Sequence, residues 1–138
     1  MSSVPAPEIT PVNRAYWDGL KQGALRFQHC AACGNAWLPA RANCPQCLSP
    51  NHEWRAASGK AKIVSWVVYH TAYAEHLKAL VPYDVTLVEL EEGPRLLTNV
   101  TDSEAGARLS EGAPVFLSIE TVEGVAIPRF TLQAPLGS

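Results

Sequence analysis

The 138-residue chain has the length of one ordinary domain or of two very small ones, which excludes a large multidomain enzyme. Hydrophobic residues make up 47% of it and charged residues 17%, so the composition is that of a folded, soluble protein and excludes a disordered or fibrous one. The net charge of −2 divides into +2 over residues 1–57 and −4 over residues 58–138, which makes the second half a poor surface for nucleic-acid phosphates.

The first residues, MSSVPAPEITP, lack the basic start and the apolar run of an export signal. No segment approaches the roughly 18 consecutive apolar residues that span a bilayer. We therefore expect a cytoplasmic protein that does not enter a membrane.

Residues 1–9 show no periodic pattern and are predicted to form a flexible lead. Thr10-Pro11 is typical of a helix start, because threonine is a good N-cap and proline fits the first helical position. Tyr16 and Trp17 recur with a leucine at helical spacing, and two glycines indicate an end near residue 22. The sequence therefore predicts one short helix with an aromatic face.

All four cysteines lie in two C-x-x-C motifs that are ten residues apart: Cys30, Cys33, Cys44 and Cys47. Each motif forms a tight turn that lets two sulfurs reach one ion, and zinc takes four thiolates in a closed tetrahedral site. The sequence therefore predicts a structural zinc ion bound by all four cysteines. Iron fits the same ligands and stays an alternative, whereas disulfides are disfavoured without an export signal. A closed site leaves the chain no free cysteine nucleophile.

A short strand is predicted on each side of the cysteine motifs, over residues 25–28 and 54–57. Ser58-Gly59 then interrupts the chain, and we place the boundary between two modules there. Residues 10–57 are predicted to form the helix and a rubredoxin-like zinc ribbon, and residues 58–138 the second module.

The second module is rich in β-branched and aromatic residues. Five strands are predicted, over residues 60–70, 83–90, 95–100, 113–122 and 127–132, with an irregular or helical insert at 74–80. Five strands in about 75 residues favour a small closed barrel over a sandwich, which needs about seven. The predicted fold is therefore mainly β, with an N-terminal helix, a rubredoxin-like zinc ribbon and a C-terminal five-stranded OB-fold barrel.

Several motifs together resemble one known family. They are Trp17 followed by G-A-L at 23–25, C-A-A-C-G at 30–34, P-x-R-x-x-C-P-x-C at 39–47, S-G-K at 58–60, V-P-Y at 81–83, V-E-L-E-E-G-P-R at 88–95 and P-x-F at 128–130. Over about residues 12–132 the chain resembles the zinc-ribbon plus OB-fold proteins long known as a domain of unknown function.

Members of that family are typically small noncatalytic subunits that bind acyl-CoA and associate with thiolase-superfamily enzymes. These enzymes include thiolases and aldol-cleaving lyases that act on side chains of sterols or on aromatic acids. The resemblance implies that this chain is such a scaffold, with acyl-CoA as its ligand and a thiolase-superfamily subunit as its hetero-oligomeric partner.

An acyl-CoA site needs basic groups for the phosphates and an apolar channel for the pantetheine arm. Four basic residues lie near the junction of the two modules: Arg41, Arg55, Lys60 and Lys62. We take them as candidate ligand-binding residues and rank Arg41 first, because it lies inside the ribbon hairpin and matches the family motif. Each is also typical of a solvated surface, and the aromatic residues among them either fill the ribbon core or lie at an interface.

The sequence contains no nucleophilic serine motif, zinc-protease motif or phosphate-binding glycine loop, so we expect no catalytic residues. Glu91 and Glu92 lie in a tight turn and are interpreted as a solvated hairpin tip. The alternative function is a single-stranded nucleic-acid-binding module, because zinc ribbons and OB folds both occur in such proteins. The charge of −4 in the second module opposes it, and we expect no nucleic-acid partner.

Overall fold

The computed structural model describes residues 8–70 and 82–134 of the chain. Within them lie one helix and eight strands: α1 (Arg14–Lys21), β1 (Arg26–Cys30), β2 (Ala36–Trp37), β3 (His52–Ala56), β4 (Lys60–Tyr69), β5 (Tyr83–Leu90), β6 (Arg95–Thr98), β7 (Pro114–Val122) and β8 (Val125–Thr131). The predicted insert at 74–80 and residues 1–7 of the predicted lead lie outside the described residues. In the part that is described, no helix is long and apolar enough to cross a bilayer.

The helix starts later than the sequence predicts, at Arg14. The hydroxyl of Thr10 accepts the amide of Asn13 at 3.2 Å, and the Asn13 side chain accepts the amide of Thr10 at 2.7 Å. This reciprocal pair closes a separate turn. Regular helix follows from it, with the Arg14 amide donating to the Thr10 carbonyl at 3.0 Å. Thr10 therefore caps the turn before α1, and the predicted first helical position was wrong.

The three short strands of the N-terminal part form an antiparallel sheet with β1 in the centre, between β2 and β3. Gln28 in β1 lies opposite Trp37 on one side and Trp54 on the other. β1 extends two residues beyond its predicted end, to Cys30, because the first cysteine turn begins where the strand pairing ends. The sheet thus places the first cysteine at the end of its central strand.

The other five strands form a second sheet in the order β6-β5-β4-β7-β8, with antiparallel neighbours throughout. Its two edges meet just after β6, where Val100 forms a parallel bridge with Phe130. The Phe130 amide donates to the Asn99 carbonyl at 3.1 Å, and the Thr101 amide donates to the Phe130 carbonyl at 2.9 Å. This nearly closed five-stranded barrel confirms the predicted fold class.

A buried carboxylate holds the closing segment in place. Asp84 in β5 is 4% exposed, and its oxygens accept the amide of Val100 at 2.9 Å and the hydroxyl of Ser103 at 3.1 Å. The hydroxyl of Thr86 donates to the same carboxylate. Because its bonds join β5 to the segment that pairs with β8, Asp84 has a structural part in the barrel.

One hydrophobic core joins the helix to the barrel. Its buried members are Leu20, Leu25, Ala61, Ile63, Val88, Leu90, Val100, Leu109, Val115, Ala126 and Phe130. The cysteine-bearing sheet contributes a second cluster made only of Cys30, Trp37 and Cys44. The core therefore crosses Ser58-Gly59, and the module boundary placed there stays a prediction from the sequence.

Leu20→Ala should lower the free energy of unfolding by about 2–5 kcal/mol, because Leu20 is 1% exposed and packs from α1 into the barrel core. The same change at Leu97, which is 66% exposed, should cost less than about 0.5 kcal/mol. Urea unfolding followed by tryptophan fluorescence measures both variants. Equal losses would contradict a helix that belongs to the barrel core.

Candidate metal centre and adjoining groove

The four cysteines come together as the sequence predicts. Their Sγ atoms all lie within 4.8 Å of one another. The sulfurs of Cys30 and Cys47 are 3.5 Å apart, and those of Cys33 and Cys44 are 3.6 Å apart. Tetrahedral zinc with bonds of about 2.3 Å needs sulfurs about 3.8 Å apart. The donor set therefore fits a four-coordinate ion.

Backbone amides point at the first sulfur of each motif. The amides of Ala32 and Cys33 donate to Cys30 Sγ at 3.3 and 3.4 Å, and the next motif repeats this at Cys44 with two amides at 3.4 Å. The Cys33 amide lowers the pKa of the Cys30 thiol. At Cys44 burial raises the pKa, but the two amides outweigh burial and bring the pKa down to about 6. The first cysteine of each motif is thus favoured as the thiolate that a metal needs, whereas the pKa of the second cysteine is raised in both motifs.

Aromatic side chains surround the cysteine turns. Trp37 is 5% exposed and packs in one cluster with Cys30 and Cys44. The His52 ring lies 5.9 Å from the Trp37 ring, edge to face. His29, next to the first cysteine, has its Nδ1 atom 3.9 Å from a carboxylate oxygen of Glu53. His29 therefore faces an acid beside the sulfur cluster, and within residues 8–70 and 82–134 the group that could hold a metal consists of the four cysteines.

Gln28 fixes the segment that follows β2. Its side chain is fully buried, its Oε1 atom accepts the Arg41 amide at 2.8 Å, and its Nε2 atom donates to the Arg41 carbonyl at 2.8 Å. The amide side chain thus pairs with one backbone residue as a neighbouring strand would. Since β1 carries both Gln28 and Cys30, the metal centre and the loop at 38–41 share one rigid support.

An apolar groove of about 480 Å³ lies beside that loop. Its walls come from α1 with the turn before it, from the loop after β2, and from the β5–β6 hairpin: Asn13, Tyr16, Trp17, Leu38, Pro39, Ala40, Leu87, Arg95, Leu96 and Leu97. Burial raises the pKa of Tyr16 to about 12, so its hydroxyl stays protonated at neutral pH. The groove can hold an apolar arm, with Asn13 and Arg95 as its polar ends.

The structure separates the four basic residues that the sequence offers as ligand contacts. Arg41 is exposed and directly follows the groove wall. Arg55 is exposed on β3, where its Nε atom donates to Glu53 at 2.6 Å. Lys60 and Lys62 line another hollow, of about 280 Å³, on β4. Of these four basic residues, Lys60 and Lys62 lie together, and Arg41 is the one that adjoins the groove.

Arg95 is the groove residue that sequence reasoning missed. Its Nε atom donates to Glu89 Oε1 at 3.1 Å, and Lys62 Nζ lies 3.2 Å from Glu89 Oε2. The bonds from Arg95 and then Lys62 hold the pKa of Glu89 below its usual value. The sequence did contain a signal for this ion pair. The predicted hairpin places Arg95 opposite Glu89, near the end of the preceding strand.

The interpretation of Glu91 and Glu92 as a solvated tip was right about the exposure of Glu91, but Glu92 is half-buried and both carboxylates bind another segment of the chain. A carboxylate oxygen of Glu92 accepts the amide of Ser58 at 2.7 Å, and one of Glu91 accepts the Ser58 hydroxyl at 3.3 Å. Both side chains converge on the connection between β3 and β4. The turn therefore joins the two modules at this point.

Two family models match adjoining parts of this chain. The one described as the rubredoxin-like zinc ribbon domain of ChsH2 matches residues 17–53, and the one described as the C-terminal OB-fold domain of ChsH2 matches residues 54–120. The chain belongs to this ChsH2-type, or DUF35, family of zinc-ribbon plus OB-fold proteins. The resemblance seen in the sequence motifs is confirmed, and the ribbon and its four-cysteine cluster support structural zinc.

Three similar proteins are described as enzyme subunits or as a scaffold. A probable enoyl-CoA hydratase alpha subunit from Thermomonospora curvata is 34% identical over 95% of this chain, which spans 40% of that protein. A 3-oxo-4,17-pregnadiene-20-carboxyl-CoA hydratase alpha subunit from Mycobacterium tuberculosis is 34% identical over 72% of this chain and 31% of that protein. A DUF35 domain-containing scaffold protein from Methanothermobacter thermautotrophicus is 38% identical over 58% of this chain and 60% of that protein.

Two solved structures share the fold. One described as an Ltp2-ChsH2(DUF35) aldolase matches with a TM-score of 0.81 and 32% identity, over 91% of this chain and 98% of that chain. A DUF35-family protein of unknown function from Sulfolobus solfataricus matches with a TM-score of 0.65 and 21% identity, over 89% of this chain and 86% of that chain, and supports the fold alone. The match to the first structure extends over nearly the whole of both chains.

The purified chain should contain one zinc ion, because its four sulfurs fit one tetrahedral site. Cys44→Ser should lower the zinc content and the ellipticity of the chain, since the ribbon sheet buries few large apolar side chains, Phe27 and Trp37. Plasma mass spectrometry and circular dichroism, with exposed Ser110→Ala as the control, check both. Red protein with stoichiometric iron would contradict zinc.

Gln28→Met should cost roughly 2–4 kcal/mol of unfolding free energy, because it leaves the Arg41 amide and carbonyl unpaired in a part-buried place. Gln28→Glu should cost at least as much at neutral pH, because it buries a carboxylate whose second oxygen faces the Arg41 carbonyl. Gln133→Met, at an exposed position, is the matched control. Urea unfolding at constant zinc content measures all three, and a Gln28→Met variant as stable as the control would disprove the clamp.

Proposed function

We propose that this chain is a noncatalytic scaffold subunit that holds an acyl-CoA thioester for a thiolase-superfamily enzyme, either a thiolase or an aldol-cleaving lyase. The reaction belongs to the degradation of acyl-CoA thioesters such as those of sterol side chains or aromatic acids. The observation that carries the proposal is the 32% identity and TM-score of 0.81, over almost the whole of both chains, to the structure described as an Ltp2-ChsH2(DUF35) aldolase.

The groove supports the ligand part of the proposal. Coenzyme A joins phosphates to a long arm of alternating apolar and amide groups, and such an arm fits a narrow channel with few polar donors. The groove walls are mainly apolar, and Arg95 lies in them as a cation for an anionic group. Arg41, beside the wall at Ala40, is the second phosphate contact in this proposal.

The cysteines and Gln28 support the scaffold part of the proposal. Four thiolates bound to zinc hold the ribbon, and Gln28 fixes the loop that forms one groove wall. Zinc in a closed site of four sulfurs supplies structural stability and leaves no open position for substrate. In this function the chain binds and orients the thioester, and the partner subunit supplies the reacting groups.

Co-expression with the thiolase-superfamily proteins of the same genome tests the assembly. We expect one of them to co-elute with this chain in gel filtration and to turn over an acyl-CoA faster with the chain than without it. The chain alone should show no turnover. Full activity of every candidate enzyme without the chain, with no co-elution, would overturn the scaffold function.

Titration calorimetry with acetyl-CoA and longer acyl-CoAs tests the ligand. Arg95→Ala and Arg41→Ala should weaken binding about tenfold each, the loss of one charge-assisted hydrogen bond. Lys60→Ala, Lys62→Ala and Arg55→Ala form the comparison set and should change affinity less, because none of these residues lines the groove. Losses confined to the comparison set would move the phosphate site to the other hollow or to the ribbon edge.

A further inference from the structure

The outer side of the barrel carries an unusual row of apolar side chains. Pairing across β4, β5 and β6 brings them together as Val67 beside Val85, Tyr69 beside Tyr83, and Leu87 beside Leu97. The alternate residues of β5, among them Asp84, Thr86 and Val88, are buried in the barrel, so these six face outward. We call them the outer apolar face.

Three of the six side chains are highly exposed for apolar groups, and the other three are partly buried. Leu97 is 66% exposed, Val67 is 54% exposed and Tyr69 is 37% exposed. The rings of Tyr69 and Tyr83 stack with centroids 5.4 Å apart, which holds a flat aromatic surface at one end of the face. Contiguous apolar patches of this kind on a folded domain mark sites where another protein binds.

The opposite side of the same barrel differs. Between β7 and β8, Ser118 lies opposite Arg129, and the guanidinium Nε of Arg129 lies 3.6 Å from a carboxylate oxygen of Glu120. Phe116 and Ile127 lie in the same row, so apolar and charged side chains alternate there. The outward side of β7 and β8 is therefore mixed, whereas the six positions of the outer apolar face are all apolar.

The outer apolar face continues into the groove. Leu87 and Leu97 belong to both, since they also form part of the groove wall. The next row along the hairpin is charged, with Arg95 and Lys62 on either side of Glu89. This row has two cations for one anion, so a partner that covers the face would bring an acidic group to it.

We infer that the outer apolar face is the surface on which the enzyme subunit docks. The inference rests on the proposed function and adds its interaction surface. An enzyme that receives a thioester from the groove must lie against the groove, and the outer apolar face is the apolar surface that shares residues with it. The partner therefore presents an apolar patch to Val67 and Tyr69 and a carboxylate towards Lys62, the cation of the charged row that lies outside the groove.

Charge substitutions in the part of the face outside the groove test the inference. Val67→Glu and Tyr69→Glu should each lower co-elution with the thiolase-superfamily subunit at least about tenfold, because a carboxylate is then buried in an apolar contact. Ser118→Glu, exposed on β7, is the matched control and should co-elute like the unaltered chain. Zinc content and acetyl-CoA affinity should stay unchanged in all three, which shows that each variant is folded.

The outcomes separate the two proposals. Co-elution that is kept in Val67→Glu and Tyr69→Glu overturns the docking surface and leaves the scaffold function standing. An unaltered chain that binds none of the enzymes overturns both. If sedimentation shows a dimer of the chain alone that these variants dissociate, the face binds a second copy and the docking assignment is wrong.

Discussion

The convergence of four sulfurs is the constraint on which the N-terminal half depends. Apart from Cys30 and Cys44, the large apolar side chains buried in the ribbon sheet are Phe27 and Trp37. Two such side chains offset little of the conformational entropy of the chain around them, so bonds between thiolates and zinc would supply much of the ribbon's stability. The backbone amides that point at the sulfurs belong to the same design, because they stabilise the negative charge that the metal requires.

The ribbon and the barrel are held together from two sides. On one side α1 and the residue Leu25 pack into the barrel core, and on the other the carboxylates of Glu91 and Glu92 bind Ser58 between β3 and β4. The groove lies where α1, the ribbon loop and the β5–β6 hairpin meet. Its shape therefore depends on both modules, and Gln28 transmits the rigidity of the metal centre to one of its walls.

This arrangement is suited to presenting a ligand. The groove offers apolar walls with few polar groups, and the barrel surface that continues from it is apolar as well. In the proposed function, a rigid two-module support of this kind would hold a substrate arm and exclude water next to another protein. The relatives are described as an enzyme alpha subunit and as a scaffold protein, which agrees with the proposed supporting role.

The sequence by itself determined the features that depend on near neighbours in the chain. Cysteine spacing indicated the metal set, and runs of β-branched residues with glycine turns indicated five barrel strands near their observed bounds, because turns and strands follow local sterics. Tertiary structure alone decided what depends on register and packing. Arg95 lies in the groove wall, Glu92 binds Ser58, and Val67 lies beside Val85. Strand register and the bulge in β4 determine which side chains share a face, and no local sequence pattern contains that information.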